Sequence, residues 1–371
     1  MFGGQNGERV VDTHAKALQV NLDPRRYGTF AEIGAGQEVV RWFFRAGGAA
    51  GTIAKSMSAY DMAISDAIYG RAERYVCRQR LEAMLDHEHK LNLGRLSEVR
   101  GSATAFFSFA DTVSARSFKG NNECHGWMGV RFQSRPRDQD SQIIIHVRML
   151  DTENALQQEA LGVVGVNLLY GAFFLFPDPE KLIESLLDGL TTQRIAVDMI
   201  EFSGIEFRQV DNRLMSMKLV QVGLSGAAMF DPDGTVLQPS EVLRRKNVLV
   251  ERGSFRPVCH VNMDMLRCAR ETFARDLAAE AAASPDGIAS GDGEVVELME
   301  LTMRNLREDG GEVDRADFLA RADMLAASGK TVLISDYFEY YRLAGYLGQH
   351  TKNKIAIVMG ASSLRDLFQE K

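Results

Sequence analysis

Two short runs near the C-terminal end, T-V-L-I at 331–334 and I-A-I-V-M at 355–359, are apolar without interruption. A strand with one wet face alternates polar and apolar residues, so a run that stays apolar needs cover on both faces. Between the two runs, Tyr340, Leu343 and Leu347 fall on one helical stripe, and G-A-S-S-L-R-D-L-F follows the second run as a further helix. Strand, helix, strand, helix in that order predicts a Rossmann-like parallel βαβ unit. The expected fold class is therefore α/β. The segment A-E-A-A-A-S-P-D-G-I-A-S-G-D-G at 279–293 holds one large apolar residue, too little to order itself, and reads as a linker. It sets a C-terminal α/β domain at 294–371 apart from an α+β main domain at 12–278, after a flexible tail at 1–11.

Within the main region, Cys77, Leu81, Met84 and Leu85 form the apolar stripe of a helix over 74–98. Strand-type runs at 104–114, 126–133 and 142–150 have short connections and favour an antiparallel sheet, making the whole sheet mixed or antiparallel. Helices follow at 153–175 and 179–190, the second capped by Asp178 with Pro179 in its first turn. Strands are expected at 195–202, 215–224 and 248–251, a hairpin over 227–237 around D-P-D-G, and helices at 263–278, 294–307 and 314–327.

The 45% hydrophobic and 25% charged fractions are those of a folded globular chain. With 43 basic and 50 acidic residues the formal charge is −7, which argues against coating nucleic acid. Four cysteines without C-x-x-C spacing, and a start that lacks a basic and then apolar leader, point to the cytoplasm. The most apolar stretch, 161–176, contains Asn167 and falls short of the roughly 20 residues that span a bilayer, so it reads as a buried core helix and no membrane partner is expected.

Five glycines, Gly34, Gly36, Gly47, Gly48 and Gly51, crowd into 18 residues. Loops of that kind bring backbone N–H groups close to phosphates. A-E-I-G-A-G-Q at 31–37 resembles the acidic-x-Gly-x-Gly turn of nucleotide and methyl-donor enzymes, although R-Y-G-T-F before it makes a poor buried strand. G-T-I-A-K-S at 51–56 lacks the spacing of a Walker loop. If the cluster binds an anion, Gly34, Gly36, Gly51, Lys55 and Ser56 supply the contacts, and Asp61 and Asp66 hold a metal or cationic group; otherwise these are turn glycines around a helix at 37–46. A second anion site is expected where the apolar C-terminal strands end, at Ser335, Asp336, Gly360 and Ser362 or Ser363, because helix N-termini there offer unpaired N–H groups. Plain helix capping is the other reading of those residues.

F-D-P-D-G-T-V-L at 230–237 resembles the first motif of haloacid dehalogenase-type phosphotransferases. That resemblance implies Asp231 as nucleophile, Asp233 as acid and base, Ser335 on phosphate, and Lys352 or Lys354 as charge clamp. Pro232 between the carboxylates and the lack of acidic residues after the last strand count against it, and a hairpin explains the same residues. The pairs Cys124-His125 and Cys259-His260, with His87 and His89 on one helix, lack metal-ligand spacing, so no metal is expected.

Taken together, F-A-E-I-G-A-G-Q-E-V, G-T-I-A-K-S-M-S-A-Y-D-M and S-D-A-I-Y-G, all within 30–70, resemble an uncharacterised bacterial protein family, as do 106–113, 125–133, 248–258 and 332–343. Two labels attached to such sequences are unsupported: TonB-dependent receptor needs an outer-membrane barrel, and nicotinate-nucleotide adenylyltransferase needs an H-x-G-H motif near a first Rossmann strand. The resemblance implies a further segment beyond Lys371 and brings no mechanism or cofactor. The functional expectation is an enzyme or binding protein for a small anionic metabolite, nucleotide or phosphorylated; the competing expectation is a homo-oligomeric scaffold whose glycines and aromatic residues serve packing.

Overall fold

A computed structural model describes residues 11–72, 74–117, 120, 122–283, 294–307 and 311–367. They divide into two compact units, one ending at Val210 and the other starting at Asp211. In the first unit the elements run α1 (Thr13–Asn21), β1 (Arg26–Gly34), α2 (Val39–Ala46), β2 (Ile53–Ser58), α3 (Met62–Tyr69), α4 (Arg78–Arg100), β3 (Ala105–Ser114), β4 (His125–Gln133), β5 (Asp140–Met149), α5 (Asn154–Tyr170), α6 (Pro179–Ser185) and β6 (Ile195–Gly204).

The six strands form one mixed sheet in the order β2-β1-β3-β4-β5-β6. The first three are parallel; β3, β4 and β5 are antiparallel, as their short connections predict, and β6 joins β5 antiparallel after α5 and α6. Contrary to expectation, R-Y-G-T-F lies inside a buried strand, β1. Its weak features are tertiary adaptations. A Cβ on Gly28 would collide with the Phe107 carbonyl, so glycine lets β3 come close. Arg26 donates to the Gln133 carbonyl at 2.6 Å and lies over the Phe173 ring.

Successive β1 residues point to opposite faces. Thr29 reaches Asn92 of α4 on one face, and Phe30 stacks on Phe43 of α2 on the other. The crossover from β1 to β2 therefore runs on the α2 face and that from β2 to β3 on the α4 face. α4 packs by Leu81, Met84 and Leu85, the stripe read from the sequence, and all three are fully buried. α5 and a π-turn (Gly171–Leu175) together are long and apolar enough to cross a membrane, yet 72% of their most apolar 18-residue window is buried within the protein, as expected of a core helix. Asn167 within it is satisfied by Lys16 and the carbonyls of Leu186 and Asp188.

The second unit runs α7 (Asn212–Gln221), β7 (Ala227–Phe230), β8 (Val236–Leu237), α8 (Pro239–Leu243), β9 (Asn247–Arg252), α9 (His260–Ala283), β10 (Val295–Thr302), α10 (Met303–Leu306), α11 (Arg315–Ala327), β11 (Thr331–Ser335), α12 (Tyr340–His350), β12 (Ile355–Val358) and α13 (Ala361–Leu367). Its sheet has the order β12-β9-β10-β11-β7-β8, the first four strands parallel. α9 and α11 pack on one face through Leu266, Phe273, Phe318 and Leu325, and α12 packs on the other through Leu343 and Leu347. The predicted strand-helix-strand-helix is present, but β9 and β10 stand between β11 and β12. The chain steps from β9 to β11 and is then carried back by α12, a doubly wound arrangement.

Three expectations are corrected. Residues 294–307 form mainly a strand, β10, because its acidic residues find partners: Glu297 meets Arg270 and Lys330, and Glu300 meets Arg252. Residues 215–224 lie mostly in α7, whose N-cap Asp211 accepts from the Arg213 N–H. The segment 279–293 does not divide the domains, since β9 before it pairs with β10 after it; its first five residues finish α9, and 284–293 lie outside the described residues. Nearly all of the expected tail, 1–10, also lies outside them.

A Cβ on Gly165 of α5 would collide with Val39 of α2. Gly165→Ala is expected to cost about 1–3 kcal/mol, the scale of overpacking in a core. Urea denaturation with an unchanged slope checks this; unaltered stability would show that α2 and α5 do not pack this closely.

Candidate functional site

β1 leads through Ala35-Gly36-Gln37-Glu38 into α2, so the A-E-I-G-A-G-Q turn does join a strand to a helix. Because the connections leaving β1 and β2 pass to opposite faces, the carboxyl ends of these strands lie at a topological switch point, where open α/β sheets hold ligands. A hollow of about 800 Å³ lies there, bordered by Gly34 and Gln37 after β1, Tyr60 after β2, Tyr75 before α4, and Ser114 and Arg116 at and after the end of β3. That size suits a small metabolite.

The amides of the turn can be accounted for one by one. Ala35 N–H donates to the Val113 carbonyl at 3.3 Å, and Glu38 N–H to the Gly36 carbonyl at 2.8 Å. Val39 and Val40, the first residues of α2, donate to Oε1 of Glu32 at 2.9 and 3.4 Å. The helix N-terminus is thus already capped by a carboxyl group from β1. The N–H groups of Gly36 and Gln37 have no hydrogen-bond partner among the described residues. Arg116 is exposed beside the hollow and has no carboxylate partner among them.

Beneath the turn, Glu32 and Asp111 are register partners on β1 and β3. Both are buried. A Cβ on Gly36 would collide with the Asp111 carboxyl, so glycine is required over this pair. Neither Asp111 oxygen makes a well-formed hydrogen bond, although the Ile33 N–H is close enough to favour the charged form slightly. Burial pushes the Glu32 carboxyl up to about 8, with a further push from Glu38, against the pull of the two amides. Burial, then Glu32, holds Asp111 well above the ordinary carboxylate range. Both acids are therefore largely protonated at neutral pH.

The rest of the expected glycine site is not assembled. Gly47 and Gly48 end α2 and turn the chain with positive φ, and Gly51 precedes β2; these three lie at the amino end of the strands, away from Gly34 and Gly36. Lys55 meets the buried Glu88 of α4 at 2.5 Å, and Glu88 also accepts from Tyr69. Ser56 is exposed on β2, next in the chain to Lys55 and on the opposite face. Asp61 caps α3, accepting from Ala63 and Ile64, and Asp66 pairs with Arg80. Among the described residues no group of three or more acidic, histidine or cysteine side chains is placed to hold a metal.

At the C-terminal strand ends the polar groups satisfy one another. Ser335 is buried and donates to Glu300, whose carboxylate is gripped by Arg252 at 2.7 and 2.9 Å. Arg252 also donates to the Tyr337 and Phe338 carbonyls. Asp336 spends its N–H on the Gly226 carbonyl, and the Gly360 carbonyl accepts from Leu364. Ser362 is the second residue of α13. For Ser335, Asp336 and Gly360 the capping and packing reading fits better than an anion site.

The phosphotransferase constellation is likewise not assembled. Oδ1 of Asp231 accepts from the Asp233 and Thr235 N–H groups at 2.9 Å each, closing the β7–β8 hairpin, and Asp233 is exposed. β7 runs antiparallel to β11 with Ala227 opposite Ser335, so Asp231 and Ser335 sit at opposite ends of β11. Lys352 and Lys354 precede β12, also at the far end of the parallel strands from Ser335; Lys352 donates to the Gly348 carbonyl and Lys354 pairs with Glu280.

No protein-family model matches the chain, and no curated protein matches it. Among solved structures it is similar to the competence/damage inducible protein CihA from Agrobacterium tumefaciens, at 14% identity over 43% of this chain and 94% of that one, with a TM-score of 0.32. It is also similar to a competence-damaged protein (CinA) superfamily protein from Enterobacter cloacae, at 11% identity over 46% of this chain and 98% of that one, TM-score 0.32. A CinA superfamily protein from Klebsiella pneumoniae 700603 gives 11% identity, 43% and 96% coverage, and a TM-score of 0.31. Likenesses at this level carry no functional argument. The bacterial family resembled by residues 30–70 gains no support from them, and neither do its two labels.

Glu32 was legible only as the acidic letter of a glycine motif, and its capping role depends on where α2 begins. Its titration has a definite sign. The proton leaves near pH 8 in the folded chain and near 4.5 when unfolded, so the folded state binds more protons between those values and stability falls as pH rises from about 4.5 to 8. Glu32→Gln keeps an oxygen acceptor for Val39 and Val40 without the charge. Its melting temperature relative to the unaltered chain is expected to rise between pH 6 and pH 8.5; parallel pH profiles would rule out a buried, proton-binding Glu32.

Proposed function

We propose that the unit ending at Val210 binds a small anionic metabolite, a nucleotide or other phosphorylated compound, at the carboxyl ends of β2, β1 and β3. The observation that carries this reading is the hollow directly over the Gly34–Gly36 turn, at the reversal of strand order. Gly36 and Gln37 N–H groups and the Arg116 guanidinium supply donors for an anionic group. Tyr60 and Tyr75 offer aromatic faces on the same rim. The acids below do not oppose an anion, because protonated Glu32 and Asp111 carry little charge at neutral pH.

A second reading, self-association, is favoured by the exposed side chains of Tyr60, Met62 and Ile64 beside β2, which is an edge strand. Light scattering across a concentration series separates the two readings, since a binding unit without a partner copy keeps one mass.

Screening nucleotides and phosphorylated metabolites by thermal shift tests the binding reading. At least one compound is expected to raise the melting temperature. Arg116→Ala should weaken that compound roughly tenfold or more, as loss of a charge-assisted hydrogen bond does, and Lys55→Ala should leave its affinity unchanged. Affinity should also fall as pH passes 8 and Glu32 ionises. A panel without a hit, or a hit indifferent to Arg116→Ala, would sink the proposal.

A further inference from the structure

Three buried polar side chains on β4, β5 and β6 form a chain that the site above does not use. His146 places Nδ1 at 2.6 Å from Oδ1 of Asp198 and Nε2 at 3.0 Å from Nδ1 of His125. Asp198 and His146 are each 1% exposed and His125 9%. Arg148 Nε lies 3.4 Å from the other Asp198 oxygen and favours the ionised carboxylate.

An ionised carboxylate can only accept, so His146 must donate from Nδ1 and keep its lone pair on Nε2. His125 must then donate from Nδ1. The proton order along the chain leaves His125 Nε2 as a bare lone pair. That atom has no hydrogen-bond partner among the described residues, and it is not one of the buried polar atoms shut off from solvent. His125 is the cross-strand partner of Ser114, which borders the hollow, so their Cβ atoms stand about 4.5–5.5 Å apart on one face of the sheet.

We infer that His125 is a catalytic proton acceptor for the molecule held in this hollow, with His146 and Asp198 as the positioning residues that fix its tautomer. The inference rests on the hollow being a ligand site, as proposed above. The substrate class is a phosphorylated metabolite whose own hydroxyl, or a water beside it, needs activation. In the step, an O–H bond breaks, an Nε2–H bond forms, the oxygen keeps the electron pair as nucleophile, and the positive charge on His125 is stabilised through His146 by Asp198.

The surroundings keep His125 neutral but disfavour its cation, so Asp198 has to offset the charge in the step above. Burial and His146, then Arg74, hold the His125 pKa down to about 4 against the opposing pull of Glu123 and Asp198, and Arg148 stands opposite on β5. His125 is therefore uncharged at pH 7.

Nitrogen-15 NMR of the histidines in the full chain at pH 7 reads the tautomer without any substitution. His125 is expected with hydrogen on Nδ1 and none on Nε2; hydrogen on Nε2 would overturn the inference. Diethyl pyrocarbonate, which acylates neutral imidazole, should modify His125, and Asp198→Asn should slow that reaction about tenfold, since the amide can donate to His146 and reverse the chain. An unchanged rate in a folded Asp198→Asn protein would also overturn it. Inorganic phosphate and adenosine 5′-phosphate serve as probes of location. Protection of His125 by a probe that raises the melting temperature supports the inference. No protection by such a probe removes His125 from this site and leaves the binding proposal standing. The expected tautomer and rate with no thermal shift from any anion would overturn the binding proposal and this inference with it.

Discussion

The first unit depends on one carboxyl group that ties strand to helix. Glu32, inside β1, accepts from the first two amides of α2 and so fixes the direction in which the chain leaves the sheet. A helix N-terminus attracts negative charge, yet here the acceptor is buried and largely protonated, which keeps the hydrogen bonds without the full cost of burying a charge. Asp111 beneath it forces glycine at position 36, and the turn residues on either side of it, Ala35 and Gln37, border the hollow. Sheet, turn, helix and cavity thus follow from one pair of carboxyl groups on adjacent strands.

The second unit solves the same problem the other way. Its parallel sheet also reverses its order, between β9 and β12, but a buried Glu300 stands on the central strand near the strand ends. A charge in that position must be paired, and Arg252 and Ser335 pair it. Arg252 then ties down the chain after β11 through two carbonyls. Donors that could have met a ligand are consumed in holding the sheet together. Sheet order alone therefore does not make a site; unspent donors next to empty space do.

These two cases explain what could be read from residues alone. The uninterrupted apolar runs of β11 and β12, the α4 stripe and the cap at Asp178 depend on local pattern, and each is present. β1 and β10 were misread for the opposite reason. Gly28 and Arg26 weaken a strand unless a neighbour comes close enough to need the one and satisfy the other, and Glu297 and Glu300 suit a helix until Arg270, Lys330 and Arg252 stand beside them. The misplaced domain boundary follows from the same error, because a helix at 294–307 leaves β9 without its partner. Lys55 looked like an anion contact because nothing near it in the chain shows that Glu88, 33 residues later, takes its charge. Likewise His125, His146 and Asp198 are 21 and 52 residues apart, and only strand register turns them into one line.

Charge makes the last link between fold and ligand. A chain with a formal charge of −7 is a poor host for an anion unless charge is removed locally. Around the hollow it is removed twice over. Glu32 and Asp111 are buried on neighbouring strands, where two negative charges so close would be unfavourable, and they hold protons instead. His125, on the next strand boundary, is kept neutral by burial rather than made cationic. What remains at the rim is Arg116, the one cation without a carboxylate partner among the described residues that border the hollow, beside Glu38, whose charge Arg41 partners at 3.0 Å. The same burial keeps the two acids protonated and His125 neutral, so none of the three sets a full charge against the ligand.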